Sequence, residues 1–294
     1  MTLRPHIEIE RYSEPLAERL EDPAAAPRPG EVVLYWLGQA GFIIDLPGYR
    51  VLLDPYLSDS LARKYADTAF PHRRMMAAPV LPEQLLRLDL VMCTHRHTDH
   101  MDPDTLQALA VRFPRIPFVV PAASIDEARK RCGVPDWRLI PVNAGDSIEP
   151  LPGLRVRPLP SAHETLTINA LEQHEWLGYV IEVAGVRLYH SGDCIPYPAL
   201  ADTLASLAPQ VALLPVNGRD IGRSGNGVPG NFTLDEAIAL CREVQVPVMV
   251  AHHYGMFDFN TVEPHVIDAR AVLDASGQFA LHRAQQAWAM RLTA

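Results

Sequence analysis

The stretch from Cys93 to Asp102, Cys-Thr-His-Arg-His-Thr-Asp-His-Met-Asp, constrains the fold more than any other part of the chain. It holds three of the twelve histidines within six residues. It follows an apolar segment at 88–93 and precedes a segment of helical periodicity that starts at Pro103. Loops at strand ends are where a rigid scaffold presents reactive groups. The fold must therefore place this loop between a buried strand and a helix that leads away from it.

The side chains of this loop have the spacing of metal ligands. In an extended chain residues two apart share a side, so His95 and His97 can approach one metal ion. Asp99 and His100, beyond the turn, can face a second ion. Neutral imidazole and carboxylate groups suit zinc, manganese or iron. The alternative is a polar loop in which histidines cluster by chance, and the density of histidine here favours the metal site.

Ten short apolar segments rich in Val, Ile, Leu and Tyr are predicted to be strands. They lie at 31–37, 41–46, 50–54, 88–93, 117–120, 154–159, 177–183, 186–190, 210–216 and 246–251. Segments with helical periodicity lie at 57–67, 103–111, 122–131, 198–207, 233–243 and 262–274. The first two strands are close enough to form an antiparallel hairpin, and 179–183 with 186–190 form a second such pair. This pattern predicts sheets that are covered by helices on their outer faces.

The composition excludes several classes of protein. The formal net charge is −9 and no dense basic run is present, so a long nucleic acid is not an expected partner. The four cysteines are scattered without a Cys-x-x-Cys pair, which argues against a cysteine-rich zinc module. No segment reaches the roughly 18 to 20 apolar residues of a membrane span. Acids at Glu8 and Glu10 stand where a signal peptide needs apolar residues, so we expect a cytoplasmic protein.

The chain is predicted to form one main domain. Residues 1–30 are expected to be an N-terminal extension that ends in a Pro/Ala-rich linker at 22–30, and residues 31–294 the domain. The glycine-rich stretch at 218–230 predicts a long loop that covers another part of the molecule. The expected partner is a small-molecule substrate, and no association with a membrane is expected. Association into a homo-oligomer is left open.

Further stretches extend the histidine motif into a family resemblance. The pattern His95-x-His97-x-Asp99-His100 after an apolar strand resembles the signature of the metallo-β-lactamase fold superfamily. The similarity continues through Trp36–Phe42, Leu52–Pro55, Tyr189–Asp193 and Ala251–Phe257. Together these stretches are similar to the branch that includes ascorbate-6-phosphate lactonase and many metal-dependent hydrolases. The resemblance implies an α/β fold of the α+β layered kind, an αββα sandwich with two mixed sheets flanked by helices.

The resemblance also implies ligands for two divalent metal ions, with Zn²⁺ favoured and Mn²⁺ as the alternative. Matched in chain order, these ligands are His95, His97, Asp99, His100, His163, Asp193 and one member of the His252-His253 pair. Asp193 matches the carboxylate that bridges both ions, and a gapless match selects His253. Because adjacent strand residues point to opposite faces, His252 would then pack or contact substrate. The alternative for His163 is a histidine that caps a turn.

Other residues have weaker claims on the site. Asp54 ends a predicted strand and either accepts a hydrogen bond from a ligating imidazole or serves as a turn residue. His190 either donates a proton to the substrate or supports its loop. Arg219 and Arg223 lie in the glycine-rich loop. Their guanidinium groups either hold an anionic substrate by a planar fork of donors or lie in solvent.

The implied reaction is hydrolysis. Two ions about 3.5 to 4 Å apart would share a bridging hydroxide beneath an electrophilic centre. Asp99 and Asp193 would balance the metal charge, and Asp99, a water or a histidine such as His190 would protonate the leaving group. A diiron redox protein of this fold would be expected to carry Glu at the position of His97.

A small, anionic ester is the predicted substrate, and a sugar lactone such as that of ascorbate 6-phosphate is favoured. A phosphodiesterase or nuclease of the same fold is the alternative. A non-catalytic metal-binding module is less favoured, because it would need a coordination sphere closed by protein ligands.

Overall fold

Fifteen strands form two mixed sheets in the computed structural model, which describes residues 5–274 and 279–294. In chain order the strands are β1 (His6–Arg11), β2 (Glu31–Gly38), β3 (Gly41–Leu46), β4 (Tyr49–Leu53), β5 (Leu90–Met92), β6 (Phe118–Pro121), β7 (Leu139–Val142), β8 (Ile148–Leu151), β9 (Leu154–Pro160), β10 (Leu177–Val183), β11 (Val186–His190), β12 (Val211–Pro215), β13 (Val248–His252), β14 (Ala280–Arg283) and β15 (Trp288–Thr293). The first sheet has the order β1-β15-β2-β3-β4-β5-β6-β7, and the second has the order β14-β13-β12-β11-β10-β9-β8.

The helices cover the sheets. In chain order they are α1 (Leu16–Arg19), α2 (Ser60–Lys64), α3 (Pro103–Arg112), α4 (Ile125–Cys132), α5 (Leu200–Leu207), α6 (Ile221–Gly225), α7 (Leu234–Glu243) and α8 (Pro264–Asp274). Helix α4 packs on β6 and β7, whereas α7 and α8 contact strands β12 to β14 of the second sheet. Within the described ranges, none of these helices has the length and apolar character needed to cross a membrane.

Strand β2 illustrates why the core has two layers. Val32 and Leu34 belong to the large cluster that joins the two sheets, whereas Val33 and Tyr35 belong to a second cluster with residues of α3 and α4. Because both faces of the strand are buried, its sequence is a continuous apolar run without alternation. These two hydrophobic cores are the interior of an αββα sandwich. The structure therefore confirms the expected fold.

Two strands that the sequence analysis missed join the ends of the chain. Strand β1 pairs antiparallel with β15, and β15 pairs antiparallel with β2. Ile7 and Ile9 of β1 pack against the core, whereas the acids between them are more exposed. Part of the predicted N-terminal extension is therefore an edge strand of the first sheet. The domain division at residue 30 stays a prediction.

The parallel strands bring the sequence motifs to one edge of the sandwich. Strand β4 runs parallel to β5, and β11, β12 and β13 run parallel to each other. Asp54 follows β4, the loop from Cys93 follows β5, Asp193 follows β11, and His253 follows β13. The carboxyl ends of parallel strands share an edge of the sheet, which is where such folds bind ligands. Residues far apart in sequence are brought together there.

Candidate metal centre

Four candidate ligands form a first cluster at this edge. The ligand atoms of His95, His97, His163 and Asp193 all lie within 4.8 Å of one another. His95 and His97 come from the loop after β5, and His163 follows β9. We refer to the three imidazoles with Asp193 as the first cluster. The residues that the sequence analysis assigned to one ion are thus brought together.

Asp99, His100 and His253 form a second cluster, whose ligand atoms also lie within 4.8 Å of one another. The Asp193 carboxylate of the first cluster also faces the second cluster. Its Oδ1 atom lies 3.1 Å from Nε2 of His100 and 3.1 Å from Nε2 of His253. Its Oδ2 atom lies 3.6 Å from Nε2 of His163. One carboxylate oxygen therefore faces each cluster, as a bridging ligand requires.

The chemistry of these side chains fits divalent transition-metal ions. Nε2 of His95 is buried and has no hydrogen-bond partner within the described part of the chain. A buried polar atom without a partner costs free energy, which a metal bond at that atom would offset. Imidazole and carboxylate groups together suit zinc and manganese. The residues present can therefore hold the metal pair that the sequence predicts.

Asp54 orients an imidazole of the second cluster. Its carboxylate accepts hydrogen bonds from Thr94 N at 2.7 Å and Thr94 Oγ1 at 2.6 Å, and Nδ1 of His100 lies 2.8 Å from its Oδ2. The predicted contact with an imidazole is present. Such a contact fixes the ring so that the other nitrogen, Nε2, faces the cluster.

Gln39 supports the second cluster from the turn between β2 and β3, and the sequence analysis gave it no role. Its Nε2 donates to Oδ2 of Asp99 at 2.8 Å, and its carbonyl accepts from His253 N at 3.0 Å. Gln39, Asp54 and His253 have φ values of 50°, 46° and 62°. Non-glycine residues rarely adopt this left-handed conformation, and such strain is concentrated at functional sites.

Trp176 covers the first cluster and was also missed. Its ring centroid lies 5.1 Å from that of His95, 4.9 Å from that of His97 and 5.3 Å from that of His163. The guanidinium of Arg96 lies over the same indole ring and pairs with Glu175 at 2.9 Å. Trp176 immediately precedes β10, so nothing in the local sequence connects it to the histidine motif.

Burial keeps the three imidazoles of the first cluster neutral. Desolvation, with the neighbouring imidazoles, lowers the pKa of His95 well below its usual range. The same causes lower the pKa of His97 to about 3, and burial also lowers the pKa of His163. A neutral imidazole is the form that binds a metal ion. These three side chains are therefore ready to coordinate at neutral pH.

The second cluster has the opposite electrostatics. Burial opposes the charge of His100, but the carboxylates of Asp193 and Asp54 outweigh it and raise the His100 pKa well above its usual range. Burial also opposes ionisation of Asp193, yet His253 and His100 hold its pKa well below the usual range. Without an ion, His100 is therefore a cation beside ionised carboxylates.

A cavity of about 540 Å³ opens over both clusters, with His97, Asp99 and Asp193 among its lining residues. Three cationic side chains also line the cavity. They are Lys64, Arg96 and Arg131, and we call them the basic rim. The sequence analysis did not assign these residues, because they come from three separate segments. The glycine-rich loop does cover this cavity, through residues 226–229.

The same cavity has an aromatic side. Tyr65, Phe70, His72 and Phe257 line it, and we call this group the aromatic wall. Tyr65, Phe70 and His72 follow α2 in the segment that leads towards β5. The sequence analysis placed Tyr65 in the predicted helix at 57–67 and gave Phe70 and His72 no role. The helix itself ends at Lys64.

The predicted substrate contacts of Arg219 and Arg223 need correction. Arg219 binds Glu236 through two hydrogen bonds of 2.6 Å. Arg223 pairs with Asp220 and donates to Oδ1 of Asn260 at 2.6 Å. Neither arginine lines the cavity. Their guanidinium N–H groups already donate to carboxylates and amides of the protein. The two arginines therefore stabilise the loop and do not bind substrate.

For His190 and His252 the sequence analysis left two roles open, and the structure favours loop support for His190 and packing for His252. Nε2 of His190 lies 3.0 Å from the carbonyl of Ala40, and its Nδ1 accepts from Gly192 N at 3.0 Å. The His190 ring stacks on His252 at 5.0 Å, and both side chains are fully buried outside the cavity lining. His190 therefore supports the loop that carries Asp193. His253, and not His252, lies in the second cluster.

The chain is similar to several known proteins. A UPF0173 metal-dependent hydrolase of Thermoplasma acidophilum is 26% identical over 238 residues, which cover 81% of this chain and 90% of that protein. A UPF0173 metal-dependent hydrolase of Myxococcus xanthus is 29% identical over 243 residues, covering 80% of this chain and 74% of that protein. Both alignments cover about four fifths of this chain.

Solved structures share the fold. Igni18, a metallo hydrolase from Ignicoccus hospitalis, superposes with a TM-score of 0.63 at 22% identity, covering 87% of this chain and 95% of that one. An isothiocyanate hydrolase from Delia radicum gut bacteria superposes with a TM-score of 0.68 at 18% identity, covering 85% and 95%.

The family described as the β-lactamase superfamily domain matches residues 49–254. That range includes the loop after β5, the candidate bridging residue Asp193 and the last candidate ligand His253. The family match, the αββα sandwich and the paired clusters at its edge agree with one another. The chain therefore belongs to the metallo-β-lactamase superfamily.

Proposed function

We propose that this protein is a metal-dependent hydrolase that uses two divalent ions, Zn²⁺ in preference to Mn²⁺, to cleave a small anionic ester. The observation that carries the proposal is the Asp193 carboxylate, which lies between the two clusters with one oxygen towards each. The similarity to proteins named as metal-dependent hydrolases supports the same conclusion.

In this proposal the two clusters divide the ions between them. His95, His97 and His163 would hold one ion, Asp99, His100 and His253 would hold the other, and Asp193 would serve both sites. A bound pair of this kind supplies an activated water and stabilises negative charge that develops on the substrate. The remaining work falls to the chain itself. Asp54 holds the ring of His100, and Gln39 holds the carboxylate of Asp99.

Asp99 is the side chain that we assign to proton movement. It lines the cavity, and Gln39 donates to its Oδ2, which leaves the other carboxylate oxygen for the substrate side. Burial opposes its ionisation, but His100, His253 and His97 together outweigh burial and lower the Asp99 pKa. The ionised carboxylate can accept a proton from water and pass it to the leaving group. His190 is unavailable for this step, because both ring nitrogens face backbone groups.

The charge of the cavity favours an anionic substrate. The chain has a net charge of −9, yet Lys64, Arg96 and Arg131 all line this cavity. Within the part of the chain that the structure describes, the lining contains no carboxylate other than Asp99 and Asp193. The cavity volume suits a small molecule. A lactone of the ascorbate-6-phosphate type is the favoured substrate, and a phosphodiester is the alternative because the same rim can hold a phosphate.

Two substrate panels test this proposal. Zinc-reconstituted protein is assayed against sugar lactones, with and without a phosphate group, and against phosphodiesters. We expect turnover of phosphorylated lactones. Turnover confined to phosphodiesters would replace the lactonase assignment by the alternative. Protein that binds no transition metal and hydrolyses neither panel would overturn both.

The two lysines of the chain provide a matched pair of variants for the same assay. Lys64→Ala removes a cation from the basic rim, whereas Lys130→Ala removes an exposed cation of α4 outside the cavity. We expect Lys64→Ala to raise KM for the phosphorylated lactone by about two- to fivefold, the range of an exposed ion pair. KM for the uncharged lactone should not change, and Lys130→Ala should behave as the parent protein.

A further inference from the structure

The rings of the aromatic wall pack against one another and line the cavity. The rings of Tyr65 and His72 stack at 4.4 Å, and the ring of His72 meets that of Phe257 edge to face at 5.0 Å. Phe70 lies 4.7 Å from Phe259, which itself stacks on Phe257 at 5.8 Å. Because the rings fix one another, the wall has its shape before any ligand arrives.

The exposure of the wall distinguishes it from core packing. Phe257 is buried at 1% exposure and anchors the group, whereas Tyr65, Phe70 and His72 are only partly buried. Isolated apolar rings at a surface are ordinary, but several of them together inside a cavity are typical of a ligand-binding surface. The wall therefore offers contact area for a flat apolar group.

A cation stands directly against this wall. Nζ of Lys64 lies 4.9 Å from the centroid of the Tyr65 ring. Arg96 and Arg131 line the same cavity, and each also pairs with a glutamate outside the lining, Glu175 and Glu127 respectively. Lys64 thus contacts the aromatic wall directly. An anion paired with it would carry its organic part next to the rings.

From this juxtaposition we propose that the substrate combines an anionic group, which pairs with Lys64, and an aromatic ring, which packs against the aromatic wall. The proposal rests on the hydrolase function proposed above. It keeps the small anionic ester of that function and adds an aromatic ring, which the sugar lactone favoured there lacks. The cavity volume of about 540 Å³ suits a single-ring compound with a short acidic arm. Aromatic pairs contribute binding free energy beyond the burial of area, so a flat ring is preferred to a saturated one.

Binding of two matched anions tests the proposal without requiring turnover. Phenylacetate and cyclohexylacetate carry the same charge and the same number of carbons, and the saturated ring is the more apolar of the two. We expect zinc-loaded protein to bind phenylacetate about three- to tenfold more tightly in calorimetric titrations, because an aromatic contact adds free energy that burial alone does not. Equal affinities, a preference for cyclohexylacetate, or no binding of either anion would overturn the proposal.

Variants assign the preference to the wall. Tyr65→Leu and Phe70→Leu keep apolar side chains but remove a ring, and each should bring the two affinities within about twofold of each other. Tyr49→Leu is the control, because Tyr49 begins β4 and lies outside the cavity lining. A preference that survives in both wall variants would contradict the proposal. Thermal unfolding of each variant checks that the fold is kept.

The outcome can be separated from that of the hydrolase assays. A preference for phenylacetate in protein that hydrolyses neither substrate panel would overturn the proposed function and leave the aromatic site standing. Hydrolysis of lactones by protein that shows no preference between the two anions would overturn the aromatic site alone.

Discussion

The two clusters share Asp193 but are built in opposite ways. The first cluster holds three imidazoles whose pKa values are lowered by burial, and Trp176 packs against all three rings. The second cluster contains His100, whose pKa is raised. Gln39 donates a hydrogen bond to this cluster, and the Asp54 carboxylate accepts one from it. The loop after β5 therefore supplies neutral imidazoles to the first cluster and a protonated imidazole to the second.

The difference lies in what faces each ring. His95 and His100 are both buried and come from the same loop. Nδ1 of His100 meets the Asp54 carboxylate at 2.8 Å, whereas Nδ1 of His95 meets the neutral Thr94 Oγ1 at 3.1 Å. A carboxylate favours the charged imidazole and burial without one disfavours it. We therefore expect the two sites to differ in metal affinity and in its pH dependence.

Removing the shared residue should have the largest effect. Asp193→Ala takes a carboxylate from both clusters, so we expect loss of both ions and a fall in kcat/KM of more than about 100-fold, beyond the loss seen for supporting residues. His97→Ala should weaken only the first cluster and leave one ion bound. Elemental analysis after gel filtration measures both stoichiometries. Two ions retained by Asp193→Ala would show that the clusters do not depend on a shared ligand.

Removing a support of one cluster should separate the sites. Asp54→Asn keeps the shape of the side chain but weakens the hold on His100, so the second ion should bind about 10- to 100-fold less tightly. The first ion should bind as before. Competition titrations with a zinc chelator resolve the two affinities. Asp104→Asn, an exposed carboxylate of α3, is the control, and equal weakening of both ions by Asp54→Asn would remove the distinction between the clusters.

A lower pH should weaken metal binding at the second cluster more than at the first. Because the pKa of His100 is raised, an ion must displace its proton, and the affinity of the second site should fall about tenfold per unit as the pH decreases from 8 to 6. The pKa of His97 is lowered to about 3, so protons do not compete for that ring in this range. Chelator titrations at three pH values measure the slopes. Parallel slopes would contradict the assignment.

The smallest effect is expected at the indole cover. Trp176→Leu removes ring contacts from the first cluster, and the first ion should bind about three- to tenfold less tightly, the range of an aromatic contact. The affinity of the second ion should not change. Trp137→Leu is the matched control, because Trp137 is 69% exposed. If the two variants behave alike, Trp176 only covers the site and does not orient its rings.

Much of the fold was predictable because its signals are local. Each of the ten predicted strands and six predicted helices has a counterpart in the structure. Asp102 caps α3 by accepting from Thr105 N, and Thr233 forms a capping box with Glu236 at α7. Strand β1 was missed because its partner β15 lies at the other end of the chain. The alternation of its two isoleucines with charged residues spans only six residues.

The site was predictable only in its motif residues. His95 and His97 are identified by their spacing, whereas Gln39 and Trp176 reach the clusters from turns and strands elsewhere. Arg219 had the chemistry of an anion-binding residue. Its partner Glu236 lies on a different element, so no local pattern could indicate that the guanidinium was already occupied.

The sequence by itself determined the order of strands and helices and the residue types that each loop presents, since hydrophobic periodicity and capping act between near neighbours in the chain. The resemblance had already selected His253 and Asp193, and the tertiary structure supplied the distances that bring both side chains to the clusters. It also decided the opposite pKa shifts of His95 and His100. These outcomes depend on burial and on distances between segments that are remote in sequence.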